Sequence, residues 1–94
     1  MTDKKKYGNR NKKYEEKPLE VRLLADRIKQ LRINAGYTSY ENFAFDKEIS
    51  RSQYYRYEKG EDIRFSTIVR LCSLFGISID EFFAEGFDEI VKTK

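Results

Sequence analysis

Histidine is absent from all 94 residues. That absence removes the commonest general base and metal ligand, and with them every Ser/His or Cys/His catalytic arrangement. Cysteine is nearly absent as well. The single Cys72 lies in the apolar run IVRLCSLFGI, where a lone thiol reads as a buried core residue in a reducing compartment rather than half of a disulfide or a metal ligand. No run of 18 apolar residues occurs, so no membrane-crossing helix is expected. The N-terminal lysines are followed by no apolar segment, so the start is not read as a secretory signal, and a cytoplasmic location is expected. Carboxylates do occur side by side (Glu61 with Asp62, Asp80 with Glu81), but adjacent acids on a small helical domain are ordinarily solvated. Neither an enzyme, a cofactor nor a metal is expected.

What is present suits one small domain: 39% hydrophobic and 37% charged residues. A chain of this size buries about 60% of its unfolded surface, so its core has to be compact and built from near neighbours. The net charge of +3 is unevenly placed. Residues 1–17 carry seven basic and three acidic side chains, a local balance of +4 that leaves −1 for residues 18–94. The first 17 residues contain almost nothing to bury and read as a disordered basic arm. If the folded part binds nucleic acid, it must do so through a localised patch.

Pro18, the only proline, suits a helix start. After it, Val21, Leu24, Ile28 and Leu31 fall on one helical face, and Gly36 stops the pattern. Three later starts, TSYE (38–41), SRSQ (50–53) and SIDE (78–81), fit the capping box, and Gly60, Gly76 and Gly86 follow as stops. Five helices are predicted, at roughly 19–35, 39–46, 51–59, 65–75 and 79–85. The fourth is apolar at Phe65, Ile68, Val69, Leu71, Cys72 and Phe75, a face wide enough for a central core helix. No alternating strand pattern is evident. The expected fold is an all-α, compact five-helix bundle over 18–86, with the arm before it and a tail over 87–94.

The second and third helices are joined by a few residues around DKEIS, which suggests a helix-turn-helix. On the third, Tyr54, Tyr57 and Glu58 share one side, while Arg51, Ser52, Tyr55, Arg56 and Lys59 share the other. Arginine can grip guanine O6 and N7 with two hydrogen bonds, so the outer side carries donors suited to base edges and phosphates in the major groove.

The stretch RIKQLRINAGYTSYENFAFDKEISRSQYYRYEKGEDIRFSTIVRLCSLFGISIDEFF resembles the Cro/CI-type helix-turn-helix domain of phage repressors and bacterial regulators, also called the xenobiotic-response-element family. The resemblance spans about residues 22 to 83, and its most specific pieces are LR at 31–32, FA at 43–44, ISRSQYYRYEKG at 49–60 and FGISIDEFF at 75–83. It implies a five-helix bundle whose third helix enters the major groove of double-stranded DNA, usually as a homodimer on a palindromic operator. It also implies base reading by Arg51, Ser52, Arg56 and Tyr55, phosphate contacts from Ser39, Tyr40, Ser50 and Lys59, and a structural pair between Arg32 and Glu58. This sequence departs from the family pattern twice. One extra residue lies between Gly36 and Ala44, which leaves the assignment of Ser39 and Tyr40 open by one position. Glu48 stands in the turn where glycine is frequent, so that either it takes a positive φ or the longer second helix changes the turn.

Several readings stay open on sequence grounds. Tyr55 either stacks on sugar or covers the helix surface. The arm either solubilises the chain or contacts DNA. Arg64 either touches the backbone or pairs with Glu61 or Asp62, two acids whose repulsion of phosphate would turn their loop away from DNA. Of the late apolar residues, Phe82 is assigned to the core, and Phe83, Phe87, Ile90 and Val91 either close the bundle or face a second copy. The reading reached is a sequence-specific transcriptional regulator. Its rival is a protein-binding module, such as an antitoxin or anti-repressor partner.

Overall fold

Pro18 opens the first helix from the N-cap position, where its missing N–H costs nothing, and its carbonyl accepts from the amides of Val21 and Arg22. In the computed structural model, which describes residues 14–92, six helices follow one another: α1 Leu19–Asn34, α2 Tyr40–Asp46, α3 Arg51–Glu58, α4 Phe65–Phe75, α5 Ile79–Phe83 and α6 Asp88–Lys92. No strand occurs among the described residues.

The start of each helix shows which capping signals operate. Ser78 and Glu81 form a complete capping box at α5, each side chain bonding the other residue's backbone N–H. Ser50 caps α3 by accepting from the Gln53 amide, without the return bond. At α2 the cap is Ser39 rather than the expected Thr38: its hydroxyl accepts from the Asn42 amide and donates to Glu41. The extra residue in this stretch shifts the start of α2 by one, which removes the TSYE box and leaves a single hydroxyl cap.

The turn between α2 and α3 is closed by two backbone bonds, Ile49 N–H to Ala44 O at 2.9 Å and Glu48 N–H to Phe45 O at 3.2 Å. This is the Schellman pattern, which places its hinge residue in the left-handed region. Gly36 occupies that hinge after α1 with φ 97°; after α2 the hinge is Glu48 with φ 56°. A left-handed conformation costs a non-glycine residue roughly 1–2 kcal/mol. The Glu48 side chain is exposed and makes no hydrogen bond or ion pair among the described residues. Glu48→Gly is therefore expected to raise stability by about 0.5–1 kcal/mol, the relief being partly offset by the extra freedom of glycine in the unfolded chain. Urea titration measures it; a destabilised variant would mean that the turn carries no such strain.

Phe43 of α2 is the hub of the core. It is fully buried, stacks on Phe75 of α4 at 5.1 Å, and meets Tyr54 of α3 at 5.0 Å and Tyr37 of the α1–α2 loop at 5.2 Å. Around it lie Leu24 and Ile28 from α1, Tyr57 from α3, Ile68, Leu71 and Cys72 from α4, and Phe82 from α5. Cys72 is buried and unpaired, and burial raises its thiol pKa.

Three expectations shift at the edges. The wide apolar face of α4 is only partly covered: Ile68, Leu71 and Cys72 point inward, whereas Phe65 and Val69 are exposed because nothing among the described residues packs over them. The bundle does not end at Gly86. Phe87 packs on the core and lies 5.0 Å from Phe83 and 6.2 Å from Phe82, and α6 extends the fold into the segment expected to be a tail. At the other end, Tyr14 to Lys17 fold back on α1. The Tyr14 hydroxyl donates to Arg22 O at 2.9 Å or to Asp26 at 2.7 Å, so these four residues belong with the bundle rather than the arm. One aromatic ring with two acceptors is the reason that composition missed. The rest of the arm, 1–13, lies outside the described residues, as does the side chain of Val91.

Candidate nucleic-acid interface

The helix α3 divides cleanly into two faces. Tyr54 and Tyr57 are buried, at 0% and 3% exposure. Arg51, Ser52, Tyr55, Arg56 and Lys59 are all exposed. Eight residues give just over two turns, and the period of 3.6 puts the two tyrosines on one side and the polar set on the other.

The inner face is fixed by an ion pair. Arg32 Nε and Nη2 donate to the two oxygens of Glu58, both at 2.9 Å, while its Nη1 donates to Tyr37 O at 2.9 Å. The two side chains are only 6% and 7% exposed. The Glu58 hydrogen bonds raise the Arg32 pKa, so the arginine stays charged. This one guanidinium joins α1, the α1–α2 loop and the last turn of α3. Burial, reinforced by the nearby Glu58, holds the Tyr54 phenol far above its ordinary range, and its hydroxyl is enclosed beside the pair.

On the outer face the side chains are linked rather than isolated. Tyr40, at the start of α2, lies 5.3 Å from Tyr55, and the Lys59 ammonium sits 5.2 Å over the Tyr55 ring. The three form a strip across the two helices, and Tyr55 remains 40% exposed within it. Ser50 and Ser52 share a hydrogen bond at 3.2 Å beside the free amides of the α3 N-terminus, a position suited to anions. Arg56 donates to Glu61 at 3.1 Å. Glu61 is thus engaged with α3 and not with Arg64, and its loop turns toward the polar face instead of away from it. Near this end of α3, Lys17, Arg56, Lys59 and Glu61 line a shallow recess of about 480 Å³.

The helix-turn-helix family model matches residues 28–82, more than half of the chain. The chain belongs to the Cro/CI-type helix-turn-helix family. No curated protein and no solved structure matches it. Within the helix-turn-helix domain, α2 and α3 are the two helices of the motif, and Lys47 to Ser50 are its turn. The family assigns the protein to DNA-binding transcription regulation. No helix among the described residues is long and apolar enough to cross a membrane.

One residue that ties α1 to α5 escaped sequence reading. Arg27 is 5% exposed. It donates Nε–H to Phe82 O and Nη2–H to Glu81 O, both at 2.7 Å, and Nη1–H to Gln30. It thereby supplies a donor to Phe82 O in the last turn of α5 and a second donor to Glu81 O, which also accepts from the Ala84 amide. The signal was available: Arg27 lies three residues after Leu24, inside the apolar stripe of α1, where a charged residue must find a buried acceptor.

Proposed function

We propose that this protein regulates transcription by binding a specific double-stranded DNA sequence with α3 in the major groove. The observation that carries the reading is the outer face of α3: Arg51, Ser52, Tyr55 and Arg56 stand exposed on a helix whose opposite side is buried and held by the Arg32–Glu58 pair. Arg51, Ser52, Arg56 and Tyr55 meet base edges in this reading. Ser39, Tyr40, Ser50 and Lys59 hold phosphates on either side and set register without reading sequence. Ser39 and Ser50 are supported in that role by their place at helix N-termini.

In this proposal the protein acts in the cytoplasm as a homodimer on a palindromic operator. The exposed Phe65, Val69 and Phe83 supply apolar surface for a second copy. Occupancy of the site is the regulatory event, and the chain's own chemistry is binding.

Fluorescence anisotropy with a labelled duplex across a salt series tests the reading. Each phosphate contact should steepen the logarithmic salt dependence by about 0.9. Arg51→Ala and Arg56→Ala should each weaken binding to a preferred duplex by about 1–3 kcal/mol and relax preference at one or two base pairs. Wild-type affinity in both variants would remove α3 from the interface.

A further inference from the structure

The two arginines presented by α3 are held differently. Arg51 is exposed and makes no hydrogen bond or ion pair among the described residues. Arg56 donates its Nε–H to Glu61 Oε1 at 3.1 Å, with the two side chains 58% and 42% exposed. Glu61 lies beyond α3, one residue after Gly60, whose φ of 102° turns the chain so that the carboxylate reaches an arginine five residues earlier. A Cβ at position 60 would lie 2.6 Å from the Lys17 side chain, so the turn is also confined from the outside.

The consequence follows from the shape of a guanidinium. Its five N–H groups lie in one rigid plane. With Nε–H given to Glu61, the plane is oriented, and Nη1 and Nη2 have no other partner among the described residues. Two parallel donors at a fixed angle match O6 and N7 of guanine. We propose that Glu61 is a specificity-determining positioning residue, which sets the Arg56 plane so that its terminal nitrogens read a guanine. The inference rests on α3 being the reading helix.

A carboxylate beside DNA also repels phosphate on any sequence. Glu61 therefore has two effects of opposite sign: it weakens binding to every duplex and sharpens the preference for one. A role confined to holding the loop together would also depend on Arg56, its partner, but would not move the two duplexes in opposite directions.

The test begins with the full chain selecting a preferred duplex from a random-sequence pool. Affinities for that duplex and for a scrambled one are then measured for wild type, Glu61→Ala, Glu61→Gln, Arg56→Ala and the Arg56→Ala/Glu61→Ala double variant, all checked by thermal melting. Glu61→Ala is expected to tighten binding to the scrambled duplex while lowering the preference ratio by about two- to fivefold, the range open to an exposed ion pair. Glu61→Gln, which keeps an acceptor for Nε–H, retains part of the ratio. In the Arg56→Ala background, Glu61→Ala leaves the ratio unchanged. Equal changes on both duplexes with Glu61→Ala, or a further fall in ratio without Arg56, overturn the proposal while α3 keeps its role. A wild-type chain without a preferred duplex overturns the reading helix and this proposal with it, whereas full preference in Arg56→Ala overturns this proposal alone.

Discussion

Glu58→Gln is expected to destabilise the domain by about 3–5 kcal/mol, because it leaves the Arg32 guanidinium buried without its countercharge. The pair is enclosed on both sides, and each nitrogen–oxygen contact is 2.9 Å. For a domain of this size, with a total stability on the order of 5–15 kcal/mol, that is a large fraction. The melting temperature should drop by about 12 °C or more. Arg32→Ala should act similarly and also free the carbonyl of Tyr37. Replacing both, as Arg32→Met with Glu58→Leu, should recover most of the loss, since no charge is then left buried. A loss under about 1 kcal/mol in the single variants, the range of exposed pairs, would show that the pair is solvated. DNA binding adds a second readout. The paired-replacement variant should fold yet bind less selectively if the two charges orient α3 as well as stabilise it.

Phe43→Ala should cost about 3–5 kcal/mol, the range for removing a buried aromatic ring and leaving a cavity. The ring touches Tyr37, Tyr54 and Phe75, which come from the α1–α2 loop, α3 and α4, so its loss is felt by three elements at once. Edge and stacked aromatic contacts add about 0.5–1.5 kcal/mol each beyond area burial, and Phe43→Leu should forfeit that share while keeping most of the volume. Urea unfolding reads the effect as a lowered midpoint with an unchanged slope. A loss below about 1.5 kcal/mol would show that neighbouring rings collapse into the space, and that the core is softer than its geometry implies.

Most of this architecture was legible in the residues. The apolar spacing of Val21, Leu24 and Ile28 placed α1, and the tyrosine pair of α3 marked its inner face. The Glu48 hinge was legible as one of two outcomes, a positive φ or a changed turn, and the structure has the positive φ. The features that were not legible depend on distant parts of the chain. The place of Arg27 in the apolar stripe of α1 signals burial, but its acceptors appear only when α5 brings its carbonyls alongside. Phe65 and Val69 look like core until it is known that no element among the described residues covers them. Tyr14 sits in a run that is otherwise charged, and only the neighbouring turn of α1 supplies its two acceptors. The partnership of Arg56 with Glu61 follows from the sharp turn at Gly60, a matter of backbone direction that spacing alone does not convey.

The reach of Arg27 has a further consequence for how the protein comes into being. Its acceptor at Phe82 lies 55 residues downstream, and that of Arg32 lies 26 downstream. At a synthesis rate of about 5–20 residues per second, the first helix waits seconds for the second half of its bonds. A nascent chain that has released α3 but not α5 holds the helix-turn-helix without the Arg27 bonds to α5. Competence to bind DNA therefore arrives late. A message truncated anywhere before codon 82 should yield an unfolded, DNA-blind fragment rather than a weaker regulator that competes for the same site.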